Sequence, residues 1–261
     1  VLYDARDTGV AVVTLNRPDR LNAWGGSLAS EFYRCMDRAE ADPSVRVIVL
    51  TGSGRAFCAG ADMGDGASIG GASIGEGDTD VTALVGERHP HFVTGLRKPI
   101  IAAINGACAG IGLTQALMCD VRFAAAGAKF TTAFSRRGLI AEYGISWILP
   151  RVVGHGVALD LLLSGRTFRA EEAAQIGLVK EVVALEELMT RAVGYAEDLA
   201  VNCAQFDGGD QAPGLRRRAT RTRRRQCGHR ETHARIDGSP GLHRGHHGLL
   251  REASTELPAA W

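Results

Sequence analysis

Two short stretches carry backbone features from which chemistry could be built. Arg55-Ala56-Phe57-Cys58-Ala59-Gly60-Ala61-Asp62-Met63 follows directly on a β-type run, and its small residues at 59–61 let a ligand approach the main chain closely. Gly110-Ile111-Gly112 opens an apolar helical segment, and a helix N-terminus exposes unpaired N–H groups with a partial positive charge. Two such donors converging on one point would stabilise an oxyanion. Other chemistries are poorly served. There is no Walker loop, and Gly110-x-Gly112 lacks both the third glycine of a dinucleotide fingerprint and the acidic residue about 20 positions on. No Gly-x-Ser-x-Gly elbow is present, which argues against a serine hydrolase. His89-Pro90-His91 has no third ligand spaced nearby and reads as a surface loop.

The elements that must position these stretches alternate along the chain. Gly9–Leu15 is a Val-rich run closed by Asn16-Arg17-Pro18, so a strand and a turn are predicted. Ser27–Ala41 places Leu28, Phe32, Cys35, Met36 and Ala39 at helical spacing. Val45–Thr51, Pro99–Ile104 and Val121–Ala126 read as further strands. Thr82–Leu96, the segment from Gly112 to about Cys119, Ile145–Val153, Val157–Leu163, Glu171–Ile176 and Glu186–Ala200 read as helices. Residues 64–79 are glycine-rich, contain GASIG twice in tandem, and are expected to form a mobile loop. Apolar strands separated by helices imply an α/β domain whose sheet is covered on at least one face.

Charge divides the chain more sharply than its net value of +1 suggests. Residues 204–261 hold 11 of the 30 Lys+Arg, all arginine, and 6 of the 29 Asp+Glu, so they carry +5 and residues 1–203 carry −4. The tail shows no sustained period of 2 or 3.6. A solvated, disordered segment is the plain reading. A nucleic-acid arm is the sharper one, but it is poorly supported because stacking aromatics are limited to Phe206 and Trp261. A third reading is a coding frame displaced by one base: Arg runs with Ala, Gly and Pro are what GC-rich DNA yields off-frame. Cys227-Gly228-His229 lies in this stretch and carries little weight as a metal site. No apolar run reaches about 18 residues and the first twenty residues hold no secretory core, so neither membrane span nor signal is expected. Six cysteines without regular spacing suggest free thiols in a reducing, cytoplasmic setting.

Six ordered motifs carry a family resemblance. They are Asn16-Arg17-Pro18 with Leu21-Asn22-Ala23; Ala56–Met63; Lys98–Gly106; Cys119-Asp120-Val121-Arg122-Phe123-Ala124; Leu163-Ser164-Gly165-Arg166; and Ala173 with Gly177-Leu178-Val179. Together they resemble the crotonase superfamily, in its enoyl-CoA hydratase/isomerase branch, over about residues 1–203. The resemblance implies a spiral of ββα turns followed by C-terminal helices, the last of them disrupted by the tail, and assembly as trimers or hexamers. It implies an acyl-CoA substrate, with coenzyme A arriving as part of that substrate and no separate cofactor. It assigns the oxyanion-hole amides to Ala61 and Ile111, and the acyl-CoA path to Ala59, Asp62, Met63, Gly64 and Gly110. Arg20 would reach CoA phosphates, with a solvated turn arginine as the alternative.

The resemblance also exposes a departure. Hydratases of this family hold water with two glutamates; the matching positions here are Thr114 and Phe134, which are retained as substrate-contact candidates but cannot serve as carboxylate bases. One acid remains nearby, Glu142, in the apolar run Gly138-Leu139-Ile140-Ala141-Glu142-Tyr143-Gly144-Ile145. A pocket placement would raise its pKa and suit it to acid–base work. A glutamate merely favoured near a helix start is the alternative. The expectation is therefore enolate chemistry with Glu142 as the single carboxylate. A non-catalytic acyl-CoA binder, argued from the absent glutamates, is the rival.

Overall fold

The structure is a computed structural model that describes residues 1–62 and 90–207, without the side chains of Pro90 and of 203–207. Met63, Gly64, the GASIG repeats, His89 and the Arg-rich tail from 208 on lie outside the described residues.

Among the described residues, ten strands form two sheets. The larger has the order β1-β2-β3-β5-β7-β10, from Leu2–Ala5, Val10–Leu15, Val47–Gly52, Ile100–Ile104, Val121–Ala125 and Glu181–Val183. The smaller has the order β4-β6-β8-β9, from Ala56–Cys58, Ala107–Ala109, Lys129–Thr131 and Phe168–Arg169. β2, β3, β5, β7 and β10 run parallel, and so do β4, β6 and β8. The chain therefore climbs in steps. Each long strand of the first sheet hands over, after a few residues, to a short strand of the second: β3 to β4, β5 to β6, β7 to β8. Helices complete the turns: α1 (Gly26–Ala41), α2 (Ile111–Met118), α3 (Ile145–Val153), α4 (His155–Ser164), α5 (Ala170–Gln175) and α6 (Leu185–Asp207).

Burial on both faces of the large sheet follows from its alternation. Ala11, Val13, Leu15, Ile48, Leu50, Ile100, Ala102 and Ile104 join the core with α1 and α2. Val10, Val12, Val47, Val49, Ile101, Ala103 and Phe123 face the opposite way and meet Leu188, Ala192, Val193, Ala196 and Ala200 of α6. A period of two on each strand and a period near 3.6 on α6 thus bury both faces, as parallel sheets require.

The sequence-based elements hold, with boundaries shifted by one or two residues at most ends. Two differ more. The expected helix Thr82–Leu96 is described only from residue 90, where Pro90–Gly95 forms a 3₁₀ turn. The Leu96 amide donates to the Val93 carbonyl at 3.2 Å and the Thr94 hydroxyl to the His91 carbonyl at 2.7 Å, an i to i+3 pattern of tight turns. The short strands β1, β4, β6, β8, β9 and β10 were not anticipated as elements, and they include the whole second sheet. The four cysteines Cys35, Cys58, Cys108 and Cys119 are free thiols. No helix among the described residues is long and apolar enough to cross a membrane.

Candidate active site

The turn at Asn16–Ala23 shows how a scaffold places a reactive backbone. Asn22 is fully buried and has φ +53. Its side-chain oxygen accepts from the Arg17 amide at 2.8 Å, and its side-chain nitrogen donates to the carbonyls of Ser53 (2.9 Å) and Ala56 (2.7 Å). The turn is thereby riveted to the β3–β4 junction. The Ala59 amide donates back to the Leu21 carbonyl at 3.1 Å. One step further, the Trp24 amide donates to the Gly60 carbonyl (2.7 Å) and the Asp62 amide to the Trp24 carbonyl (2.8 Å). This is a parallel bridge between Trp24 and Ala61. In such a bridge the flanking residues 60 and 62 make both bonds, so the Ala61 amide points to the other side.

A second segment runs alongside. Gly110 has φ +50 and its amide donates to the Thr131 carbonyl at 3.0 Å. α2 starts at the next residue, so the Ile111 amide is an N-terminal helical donor with no intrahelical acceptor. A Cβ added at Gly110 would lie 4.0 Å from the Gly60 Cα, and one added at Gly60 would lie 3.5 Å from the Ala109 carbonyl oxygen. The two glycines thus pack side by side, and each immediately precedes one of the donors. Gly112 serves a separate purpose: a Cβ there would overlap the Cys58 carbonyl oxygen and lie 2.8 Å from the Cys58 Cβ, so only glycine lets α2 close onto β4. Neither the Ala61 nor the Ile111 amide donates to any acceptor among the described residues.

Both donors border one cleft, which encloses about 670 Å³ of space open to solvent. Its first wall is Ala59-Gly60-Ala61 with Ala109-Gly110-Ile111; its second is Thr132-Ala133-Phe134 with Arg137, Leu139, Glu142 and Tyr143. The second wall is conformationally unusual. Ala133 (φ +61) and Tyr143 (φ +56) are left-handed without being glycine. Such strain costs of order 1–3 kcal/mol per residue and concentrates at functional sites. The Ala133 amide donates to the Thr131 hydroxyl at 3.1 Å. The Thr131 hydroxyl donates to the Gly165 carbonyl (2.8 Å) and the Thr132 hydroxyl to the Leu161 carbonyl (2.7 Å), which anchors this wall to α4.

Glu142 is the sole carboxylate among the described residues of the cleft. Partial burial raises its pKa above the ordinary value, and among the described residues no ion pair or hydrogen bond to its carboxylate offsets that loss of hydration. Tyr143 and the left-handed Gly144 separate it from α3, so the chain doubles back between the acid and the helix. Burial, with the nearby Glu142 charge adding to it, also raises the Tyr143 pKa.

The candidates sort cleanly. Ala59, Ala61, Gly110, Ile111, Phe134 and Glu142 come together in the cleft. Thr114 does not: it is fully buried on α2, and its hydroxyl turns back to the Gly110 carbonyl at 3.2 Å, the local bond that helical serines and threonines make with residue i−4. Asp62 is not part of the cleft wall either; its carboxylate is ion-paired with the Arg17 guanidinium. Arg20 is exposed on the 3₁₀ turn Pro18–Arg20 and does not border the cleft. Met63 and Gly64 lie outside the described residues. Tyr143, Arg137 and Leu139 border the cleft without having been anticipated. No pattern in the sequence marked them, because a left-handed tyrosine is a consequence of packing.

Amide donors set beside a partly buried acid suit a class of enzyme that polarises a carbonyl and moves a proton next to it. The chain belongs to the enoyl-CoA hydratase/isomerase family, whose family model matches residues 5–206. It is an acyl-CoA thioester enzyme of that family. It is 38% identical over 201 residues to the 1,2-epoxyphenylacetyl-CoA isomerase of Escherichia coli K12, covering 74% of each chain. It is 43% identical over 177 residues to a probable enoyl-CoA hydratase of Rhodobacter capsulatus, covering 67% of this chain and 65% of that one. Among solved structures it is similar to an enoyl-CoA hydratase of Mycobacterium marinum: 58% identity, TM-score 0.67, and coverage of 87% of this chain and 96% of that one. A monofunctional enoyl-CoA isomerase of Mycobacterium smegmatis is also similar, at 35% identity and TM-score 0.62, covering 85% of this chain and 90% of that one.

Proposed function

We propose that this chain shifts the double bond of an enoyl-CoA thioester, using Glu142 as a single proton shuttle beneath an oxyanion hole made of the Ala61 and Ile111 amides. The thioester oxygen accepts hydrogen bonds from both amides. The Glu142 carboxylate takes a proton from C2 of a 3-enoyl group, the electron pair moves into the carbonyl, and a dienolate forms. The resulting carboxylic acid returns the proton at C4, which leaves a 2-enoyl thioester. Atoms balance, one carboxylate suffices, and the chemistry calls for no cofactor beyond the coenzyme A of the substrate. Its raised pKa strengthens Glu142 as a base, and stabilising the enolate brings the C2 proton closer to it in acidity. The observation that carries this reading is one carboxylate sharing a cleft with two amides, none of the three with a partner among the described residues.

Hydration by the same carboxylate is a second reading, favoured by the solvent-open cleft and by the enoyl-CoA hydratases among the relatives. The test is mass-spectrometric turnover of a 3-enoyl-CoA by the full chain and by Glu142→Gln. The variant should lose roughly 10²–10⁴-fold in turnover while still binding the thioester. Undiminished turnover would remove Glu142 from the mechanism.

A further inference from the structure

An acid that adds water needs something to hold the water in line, and the positions that match the family's two glutamates do not provide it: Thr114 is fully buried with its hydroxyl turned back to the Gly110 carbonyl, and position 134 is phenylalanine. Four side chains with polar ends border the cleft among the described residues: Thr132, Arg137, Glu142 and Tyr143. The Thr132 hydroxyl is committed to the Leu161 carbonyl at 2.7 Å. Arg137 is exposed at the end of the 3₁₀ turn Ser135–Arg137. Tyr143 is different. It is half-buried, it follows Glu142 in the chain and borders the same cleft, and its hydroxyl makes no hydrogen bond among the described residues.

We propose that Tyr143 is the positioning residue for a nucleophilic water, its hydroxyl and the Glu142 carboxylate together holding one molecule against C3 of a bound 2-enoyl thioester. This rests on the reading of Glu142 as the acid–base group and extends it from double-bond migration to hydration. The water donates one hydrogen to the Glu142 carboxylate and accepts one hydrogen bond from the Tyr143 hydroxyl. Fixing two of its four tetrahedral directions leaves a lone pair for C3. The oxygen–C3 bond forms as Glu142 takes the proton, and the electron pair flows to the thioester oxygen. Glu142 then returns the proton to C2, giving a 3-hydroxyacyl thioester. Tyr143 changes protonation in no step. Burial and the adjacent carboxylate both hold its pKa above the ordinary 10, which keeps the phenol a neutral donor at physiological pH.

The test compares wild type, Tyr143→Phe and Glu142→Gln on a matched pair, crotonyl-CoA for hydration and a 3-enoyl-CoA for isomerisation. Oxygen-18 water marks the added oxygen. The expected result is a fall of tenfold or more in the ratio of hydration to isomerisation in Tyr143→Phe, with butyryl-CoA binding confirming an intact cleft. An unchanged ratio, or no labelled product from wild type, overturns the proposal. A second variant covers a phenylalanine change that fails to fold. With 3-fluorotyrosine at position 143, the alkaline limb of hydration should move to lower pH while that of isomerisation stays; limbs that move together, or not at all, overturn the proposal. Isomerisation that survives in Glu142→Gln defeats the underlying reading instead, which separates the two failures.

Discussion

The amide-bearing wall of the cleft and the acid-bearing wall differ in how much of the fold stands behind them. Ala59–Ala61 and Ala109–Ile111 continue adjacent parallel strands, β4 and β6, and are tied by the buried Asn22 and the Trp24 bridge. Their neighbours are fully buried, and burial pushes the Cys58 thiol up to about 12 and raises that of Cys108 well above its ordinary value, so these thiols are inert. The acid-bearing wall runs through the 3₁₀ turn Ser135–Arg137, exposed residues such as Ile140, and left-handed Gly138, Tyr143 and Gly144. Its side-chain bonds run to α4 and the glycine after it, and Phe134, Leu139, Ala141 and Tyr143 pack against the core without belonging to any strand or α-helix. In the proposed mechanism this is a division of labour: the amides that would polarise the carbonyl sit on the paired strands, and the acid that would decide the reaction sits on a loop.

The contrast can be broken at several points, beginning where the fold has least room. Gly112→Val should have the largest effect. A side chain there meets the Cys58 backbone, so α2 must leave β4; we expect a thermal midpoint too low for measurable folded protein, read by circular dichroism. Next is the Ile111 amide, removed by replacing residue 111 with its α-hydroxy-acid counterpart. The loss should be about 10²–10³-fold in kcat with the midpoint little changed, since this donor has no acceptor among the described residues. An equal loss of stability would show that the amide is structural.

Glu142 offers a subtler test through pH. Its folded pKa is raised by lost hydration, so the acid limb of kcat/KM should lie above 4.5, its ordinary value. The sign for stability is the reverse of a salt-bridged acid. The contribution is fully present below the unfolded pKa and is lost as pH rises through the raised folded value. Glu142→Gln should therefore have a higher thermal midpoint than wild type at neutral pH, and that gain should vanish at pH below about 4. A variant that loses stability at neutral pH would mean that the carboxylate has a favourable partner. The smallest effect is expected from Thr114→Val. It removes one long hydrogen bond inside α2 and should cost about 0.5–1.5 kcal/mol by denaturant titration, with kcat within about threefold. A large kcat loss would return Thr114 to the chemistry.

Much of the large sheet was legible because its strands are long and apolar: Val10–Leu15, Val47–Gly52, Ile100–Ile104 and Val121–Ala125 announce themselves by composition. The small sheet was not. Ala56–Cys58, Ala107–Ala109, Lys129–Thr131 and Phe168–Arg169 are two or three residues each, too short for any period to appear, and they exist as strands only because the neighbouring turn of the spiral pairs with them.

The amino-acid order alone determined the family motifs, the two glycine-rich donor segments and the isolation of Glu142 among apolar neighbours, because these depend on residue type and local spacing. Only the tertiary structure decided that Gly60 and Gly110 lie side by side, that Thr114 turns inward while Glu142 joins the cleft, and that Tyr143 is bent into its wall. Those outcomes come from contacts between residues tens of positions apart, and from a backbone strain that long-range packing imposes and no local preference foretells.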